Sequence, residues 1–440
     1  MMSRIFSTLF QNKNFQSVYG NLLVACLGLL NFSLLARSLT KEEFGHWVIF
    51  ISGSTMLEMI RAGIVQTPLI KFTSGIQNQR FKCEFISTGF IIGLGITMLI
   101  SGLVLISQLP GINTQTGSGY GLFLKWFPLL FLVSFPRNFY LWNAQGERNF
   151  VGIFKSQFAT FGLFSGYVIA HYLKSYPVHF LPIAYITSQG INSIWLLFSS
   201  NLFRIKYRYF SKKHLHSILN YGKFSMGTMI GGNLLKTADT LIIGLIMNAS
   251  SVAVFSIALR LTEVFDLLIR SLANNLFPQL SAAANQKKAH TFHLTFKKYT
   301  VGVTLIFILI MFFTFYFAEV LIAIVAGSGY FEAVFIFRIL VCGCLFIPFY
   351  RFSGVALDAI NKPAYNFYRI LFLLSFNVLG DFLVLLFFQE VWCVAMLTVF
   401  VFFLGMLSGM VLTKRAGLNI SLRDLIKYPV VNFLRINKVG

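Results

Sequence analysis

Arg260, Glu263, Asp266 and Arg270 follow one another at steps of three, three and four residues. That spacing puts all four on one helix face, and Asn274 extends the row. The segment is otherwise apolar and long enough to cross a bilayer, which takes about 20 residues. The apolar segment before it carries Lys236 and Asp239, three apart. A charge in hydrocarbon is costly, so it faces a bundle interior or a watery cavity and seeks a partner. Two kinds of chemistry suit such groups. Guanidinium forks hold phosphate or pyrophosphate in a bidentate manner. A buried carboxylate can take up a coupling H+ or Na+. The candidates for an anionic cargo are Arg61, Arg137, Lys236, Arg260, Arg270 and Arg351. The candidates for an ion are Asp239 first, then Glu58 and Asp266. Basic groups outnumber acidic ones, so a chamber lined by them is net cationic. Pairing of these charges with one another, merely joining helices, stays open as the alternative.

Nothing else in the chain spaces its residues for chemistry. There is no glycine-rich phosphate loop before a helix, no His-Glu-x-x-His and no Ser-His-Asp grouping. An enzyme is not expected. The five cysteines are scattered, mostly within apolar segments, and match neither a metal site nor a disulfide framework. No cofactor is expected beyond a coupling ion. His214 and His216, two apart in a basic connection, read as solvated.

The elements that hold these charges are membrane spans. Hydrophobic residues make up 56% of the chain and charged residues 11%. A soluble domain carries roughly 25% charge. The fold class is therefore an all-α polytopic membrane protein. Twelve spans are predicted, roughly 16–39, 46–70, 85–107, 121–142, 150–173, 180–201, 220–246, 251–278, 298–318, 334–357, 365–388 and 391–413. The net charge of +22 raises nucleic acid as a partner, but its distribution argues for topology instead. The N-terminal tail, the C-terminal tail and alternate connections hold 24 Lys and Arg residues, Arg369 among them, against 3 in the opposite connections. The positive-inside rule places both termini in the cytoplasm, and an even number of spans requires the same side for both.

The second half echoes the first at an offset of roughly 210 residues. Leu34–Leu39 and Glu43–Trp47 align with Ile242–Met247 and Ser251–Phe255, and Glu58 and Arg61 then fall opposite Asp266 and Arg270. The division is a first six-helix lobe (1–201), a basic cytoplasmic linker (202–219), a second lobe (220–413) and a basic amphipathic tail (414–440). Parallel halves of this kind build transporters whose site lies at the repeat interface.

The run Ala36-Arg37-Ser38-Leu39-Thr40-Lys41-Glu42-Glu43-Phe44-Gly45-His46-Trp47 resembles the "ARxLGPxxFGxY" passage of polysaccharide flippases, with Thr40-Lys41 in place of Gly-Pro. Ala144-Gln145-Gly146, and Asp239 with Ile243-Gly244, resemble the same proteins. These are the Wzx-type O-antigen and capsule-unit transporters of the multidrug/oligosaccharidyl-lipid/polysaccharide exporter superfamily. The resemblance implies a V of two lobes, similar to the MATE fold, around a central cationic cavity. It implies a lipid cargo, an oligosaccharide on undecaprenyl pyrophosphate, moved across the bacterial inner membrane by alternating access. Membrane lipids surround such a protein, and polymerase and chain-length proteins of the same pathway are its implied partners. A drug/cation antiporter of the same superfamily and a non-transport membrane protein of the pathway are the alternatives.

Overall fold

The computed structural model describes residues 13–73, 78–108, 120–147, 149–174, 176–199, 209–360 and 362–415. Arg4, the first part of the basic linker (202–208) and nearly all of the predicted C-terminal tail lie outside them. The chain divides into two compact units, Met1–Asn233 and Leu234–Gly440.

The first unit holds α1 (Lys13–Ser38), α2 (Lys41–Arg61), a π-helical turn (Ala62–Gln66), α3 (Thr67–Thr73), α4 (Gln79–Ile106), α5 (Gly121–Val133), α6 (Phe135–Gly146), α7 (Phe150–Lys174) and α8 (Phe180–Ser199). It also takes the first part of α9 (Lys212–Ile246). The second unit holds the rest of α9, then α10 (Ala249–Asn285), α11 (Ala289–Tyr316), α12 (Ala318–Ala326), α13 (Glu332–Gly343), α14 (Ile347–Ala359), α15 (Pro363–Phe388) and α16 (Val391–Arg415). Among the described residues, five helices are long and apolar enough to span a bilayer unaided, or up to seven if each of two bent pairs is one span. The chain is an all-α, multi-pass membrane protein. The 37-residue α10 has ample length; its four ladder charges set it apart from those spans.

Local sequence explains the helix starts. Thr40 caps α2 in a full capping box: its Oγ1 accepts from the Glu43 N–H at 3.2 Å, and Glu43 Oε2 accepts from the Thr40 N–H at 2.9 Å. A Gly-Pro at this point could not make that exchange, because it lacks the hydroxyl. Asn248 caps α10 by accepting from the Ser251 N–H at 2.8 Å. The two caps occupy equivalent places in the aligned halves. Pro68 explains the π turn. It has no N–H, and its ring crowds the carbonyl four residues back, at Ile64, so the ladder widens just after Arg61.

Between helices in lipid, apolar burial supplies little drive, so close packing of small residues matters more. The π turn and α9 meet backbone to backbone at two glycines. A Cβ on Gly222 would lie 2.6 Å from the Ile64 carbonyl oxygen, and one on Gly63 would collide with the Met226 Cα. Gly63→Val or Gly222→Val is therefore expected to cost at least about 1–3 kcal/mol. Thermal unfolding of the detergent-solubilised protein checks this, with Gly227→Val as the control, because nothing lies within 4 Å of that position. Equal melting temperatures for all three variants would remove the contact from the account.

His214 corrects one reading. It is buried, its ring centroid 4.0 Å from that of Phe85, and its Nε2 lies 3.1 Å from Glu84 Oε2. The basic connection is thus pinned to α4 at this point, while His216 is exposed as expected.

In the second unit the core face of α10 carries Phe265, Ile269, Leu276 and Leu280. They pack with Phe292, Phe296 and Phe307 of α11 and Phe352 of α14. Their steps of four and seven run beside the charge ladder, so one helix presents an apolar seam and a polar one.

Candidate functional site

The predicted charges form separate constellations. In the first unit Glu58 and Arg61 are one turn apart on α2 and joined through Arg61 Nε and Nη2. Arg61 is completely buried. Its Nη1 donates to Thr97 Oγ1 and to the Phe131 carbonyl, both at 2.9 Å, and its Nη2 also reaches Ser134 Oγ at 3.3 Å. All five N–H donors are thus placed, and the Phe131 ring lies 4.0 Å from the guanidinium carbon. Arg137 is buried on α6; it donates to Asn138 Oδ1 at 3.1 Å, and its Nε has no partner among the described residues.

In the second unit the ladder resolves into two pairs. Arg260 donates to Glu263 at 2.6 Å. Asp266 accepts from Arg270 Nη2 at 2.8 Å, and on its other oxygen from Arg351 Nη2 of α14 at 3.4 Å. The carboxylate is therefore shared by two guanidiniums, one of them from a helix the sequence did not pair with it. The aligned pairs Glu58–Arg61 and Asp266–Arg270 are both ion pairs, but Arg61 is sealed whereas the Arg270 side chain is 57% exposed. The side chains of Lys236 and Asn274 lie outside the described residues.

Asp239 heads a third constellation. It is buried against Asp381 of α15, also buried. Asn377 Nδ2 donates to Asp239 Oδ1 at 2.8 Å and to Asp381 Oδ2 at 2.7 Å. Thr398 Oγ1 of α16 lies 2.7 Å from Asp239 Oδ2, and Asp381 Oδ1 has no partner among the described residues. Two carboxylates bridged by one amide leave repulsion that a small cation or a proton would relieve.

Arg369 is the residue the sequence reading misplaced. It is counted there with the cytoplasmic loop charges, yet it is buried two turns inside α15. Its Nη1 donates to Ser353 Oγ at 2.6 Å, and its Nη2 to the Tyr350 carbonyl at 3.1 Å and Asn366 Oδ1 at 2.9 Å. Two glycines leave room for it: a Cβ on Gly354 would lie 2.9 Å from its Nη2, and one on Gly409 would lie 2.7 Å from its Nη1. Pro363 is the available signal, because proline marks the first turn of a helix and so carries Arg369 well past the loop. Arg270, Arg351 and Arg369 line one pocket of about 310 Å³. Arg338 stands apart, paired with Glu319 at 3.1 Å.

Comparison with known proteins adds the family. The model of a family described as "Polysaccharide biosynthesis protein" matches residues 34–335. The chain belongs to the polysaccharide biosynthesis protein family. Within this family setting, a curated relative, the probable low-salt glycan biosynthesis flippase Agl15 of Haloferax volcanii, is 27% identical over 153 residues. That match spans 35% of this chain and 32% of the relative, so the chain covers about a third of the relative's length. Two solved folds are similar over most of the chain. An inward-facing multidrug resistance MATE family transporter of the MOP superfamily has a TM-score of 0.72 at 16% identity, over 92% of this chain and 96% of that one. The lipid II flippase MurJ in an inward closed conformation has a TM-score of 0.72 at 16% identity, over 95% and 90%. The family protein thus has the MOP-superfamily fold that its sequence passages resemble.

Proposed function

We propose that the protein is a flippase of polysaccharide biosynthesis. Its cargo is an oligosaccharide repeat unit on undecaprenyl pyrophosphate, turned from the cytoplasmic to the outer leaflet of the bacterial inner membrane by alternating access. The observation that carries this reading is the clustering of Arg270, Arg351 and Arg369 around one pocket. A surplus of guanidinium inside a membrane protein suits an anionic, phosphate-bearing cargo. Family membership and the fold support the same reading. The cationic drug of an antiporter would meet repulsion there.

In this account Arg270 and Arg351 contact the cargo. Asp239, together with Asp381, takes up the coupling H+ or Na+, and the lipid tail stays in the bilayer. Twelve spans put both termini in the cytoplasm, and a polymerase and a chain-length protein take the cargo onward.

Deleting the gene in its host tests the proposal. Surface polysaccharide should disappear and lipid-linked units should collect in the inner leaflet, with both effects reversed by the wild-type gene. Normal surface polysaccharide in a host without a second flippase would refute it.

A further inference from the structure

We propose that the first turns of α9 form a docking face for anionic phospholipids, in the leaflet on the side of the basic linker. The face lies in the first unit, away from the residues assigned to cargo and coupling ion. The proposal stands whether or not the chain is a flippase.

The residues that α9 buries fix its rotation about its own axis. His214, Ile218 and Gly222 follow at steps of four and turn inward. His214 and Ile218 are buried, and a Cβ on Gly222 would lie 2.6 Å from the Ile64 carbonyl oxygen. Helix α4 grips the same side. The Ser211 N–H donates to Thr88 Oγ1 at 3.2 Å, and His214 Nε2 lies 3.1 Å from Glu84 Oε2. The His214 ring is covered by Phe81 and Phe85, with centroids at 5.0 and 4.0 Å. The opposite side of α9 is thereby held outward. Lys212, His216, Leu219 and Lys223 follow at steps of four, three and four and so share that side. All four are exposed, as is Lys213 beside them.

Charge on this surface has one sign. The start of α4 (79–86) and the start of α9 (212–223) hold Arg80, Lys82, Lys212, Lys213 and Lys223 against Glu84 alone. Glu84 is already engaged by Arg80 at 3.3 Å and by His214 at 3.1 Å. Lys82 is engaged by Glu147 at 2.6 Å. Lys212 and Lys213 therefore extend a net positive face that complements a negative surface.

Depth selects the partner. The predicted span begins at residue 220, and four residues of helix rise about 6 Å. Each headgroup layer is about 5–7 Å deep. His216 and Leu219 thus fall within that layer and Lys212 and Lys213 at its outer edge, while the long Lys223 side chain snorkels up to it. An acidic protein would match the charge, but Leu219 is 42% exposed on the same face. At headgroup depth a leucine beside lysines meets acyl chains while the lysines meet phosphates, the pattern of an interfacial helix.

Photo-cross-linking of the full-length protein tests this, in nanodiscs of equal parts phosphatidylglycerol and phosphatidylcholine. With p-benzoylphenylalanine in place of Leu219, phosphatidylglycerol should be captured at least about fivefold over phosphatidylcholine, the weight of one lysine close to a charged surface. In place of Leu99, 63% exposed in the apolar part of α4, the same probe should capture the two lipids equally. Lys212→Gln with Lys213→Gln should bring the ratio at Leu219 close to one and leave the melting temperature unchanged, since both side chains are exposed. Lys287→Gln with Lys288→Gln, an equal loss of charge after α10, should leave that ratio as it was. A salt concentration of 1 M, where screening acts within about 3 Å, should remove the preference from the wild type with no lysine replaced. Equal capture of both lipids at Leu219, the same preference at Leu99, a preference that survives 1 M salt, or an equal loss in the Lys287→Gln, Lys288→Gln protein would overturn the face. Capture of a protein rather than lipid by the Leu219 probe in whole cells would overturn it as well.

Discussion

Arg61→Leu should lose about 3–5 kcal/mol of stability and most of the folded protein, since removing one partner of a buried ion pair strands the other. Arg61 is completely buried and gives all five donors to Glu58, Thr97, Phe131 and Ser134. Leucine would leave the Glu58 carboxylate, the Phe131 carbonyl and two hydroxyls without that donor. Glu58 retains some contact with solvent, its side chain 24% exposed, which softens the loss. Adding Glu58→Gln removes the stranded charge and should restore part of the stability. Yield and melting temperature in detergent measure both steps. A single variant that melts with the wild type, or a double variant that melts below the single, would show that Arg61 does not hold α2 against α4 and α5.

The second large effect is on transport and comes from Asp266. From spacing alone, loss of Arg270 would strand this carboxylate. The structure gives it a second partner, since Arg351 reaches its other oxygen. Arg270→Gln should therefore fold normally and still lose export by about tenfold or more, the scale of one charge-assisted contact. Asp266→Asn should behave in the opposite way. It removes the one carboxylate between two guanidiniums, so Arg270 and Arg351 repel across the pocket and stability falls as well as export. Arg270→Lys should recover only part of the export, because an ammonium has no planar fork. Export at wild-type rate in a well-expressed Arg270→Gln strain would reduce the ladder to a device that joins helices.

What was legible in the sequence was what obeys periodicity. Steps of three and four gave the ladder its common face, and the break between the predicted spans 220–246 and 251–278 separated its helix from the one before. The short family passages gave the superfamily. The replacement of Gly-Pro by Thr40-Lys41 became intelligible only in the structure, as a capping box. Long-range pairing left no such trace. Nothing in the spacing joins Asp266 to Arg351, 85 residues later. Asn377 and Thr398 are uncharged residues in apolar helices and carry no signal until they are seen beside Asp239. Arg369 failed for a different reason: a basic residue near a predicted helix end looks like a loop charge, and only Pro363 locates the helix start. His214 was misjudged because two rings, Phe81 and Phe85, come from another helix to cover it.

On the proposed function, this chain moves a phosphate-linked glycan lipid across a bilayer by way of the second-unit guanidiniums. Purified protein in liposomes loaded with oligosaccharide on undecaprenyl pyrophosphate tests it most directly, with inner-leaflet glycan read by its arrival within reach of an external glycosidase. The wild type should make the protected half of the glycan accessible, and Arg270→Gln with Arg351→Gln should leave it protected in equally loaded vesicles. Protection that persists with the wild type, under an imposed H+ or Na+ gradient as well as without one, would contradict the account.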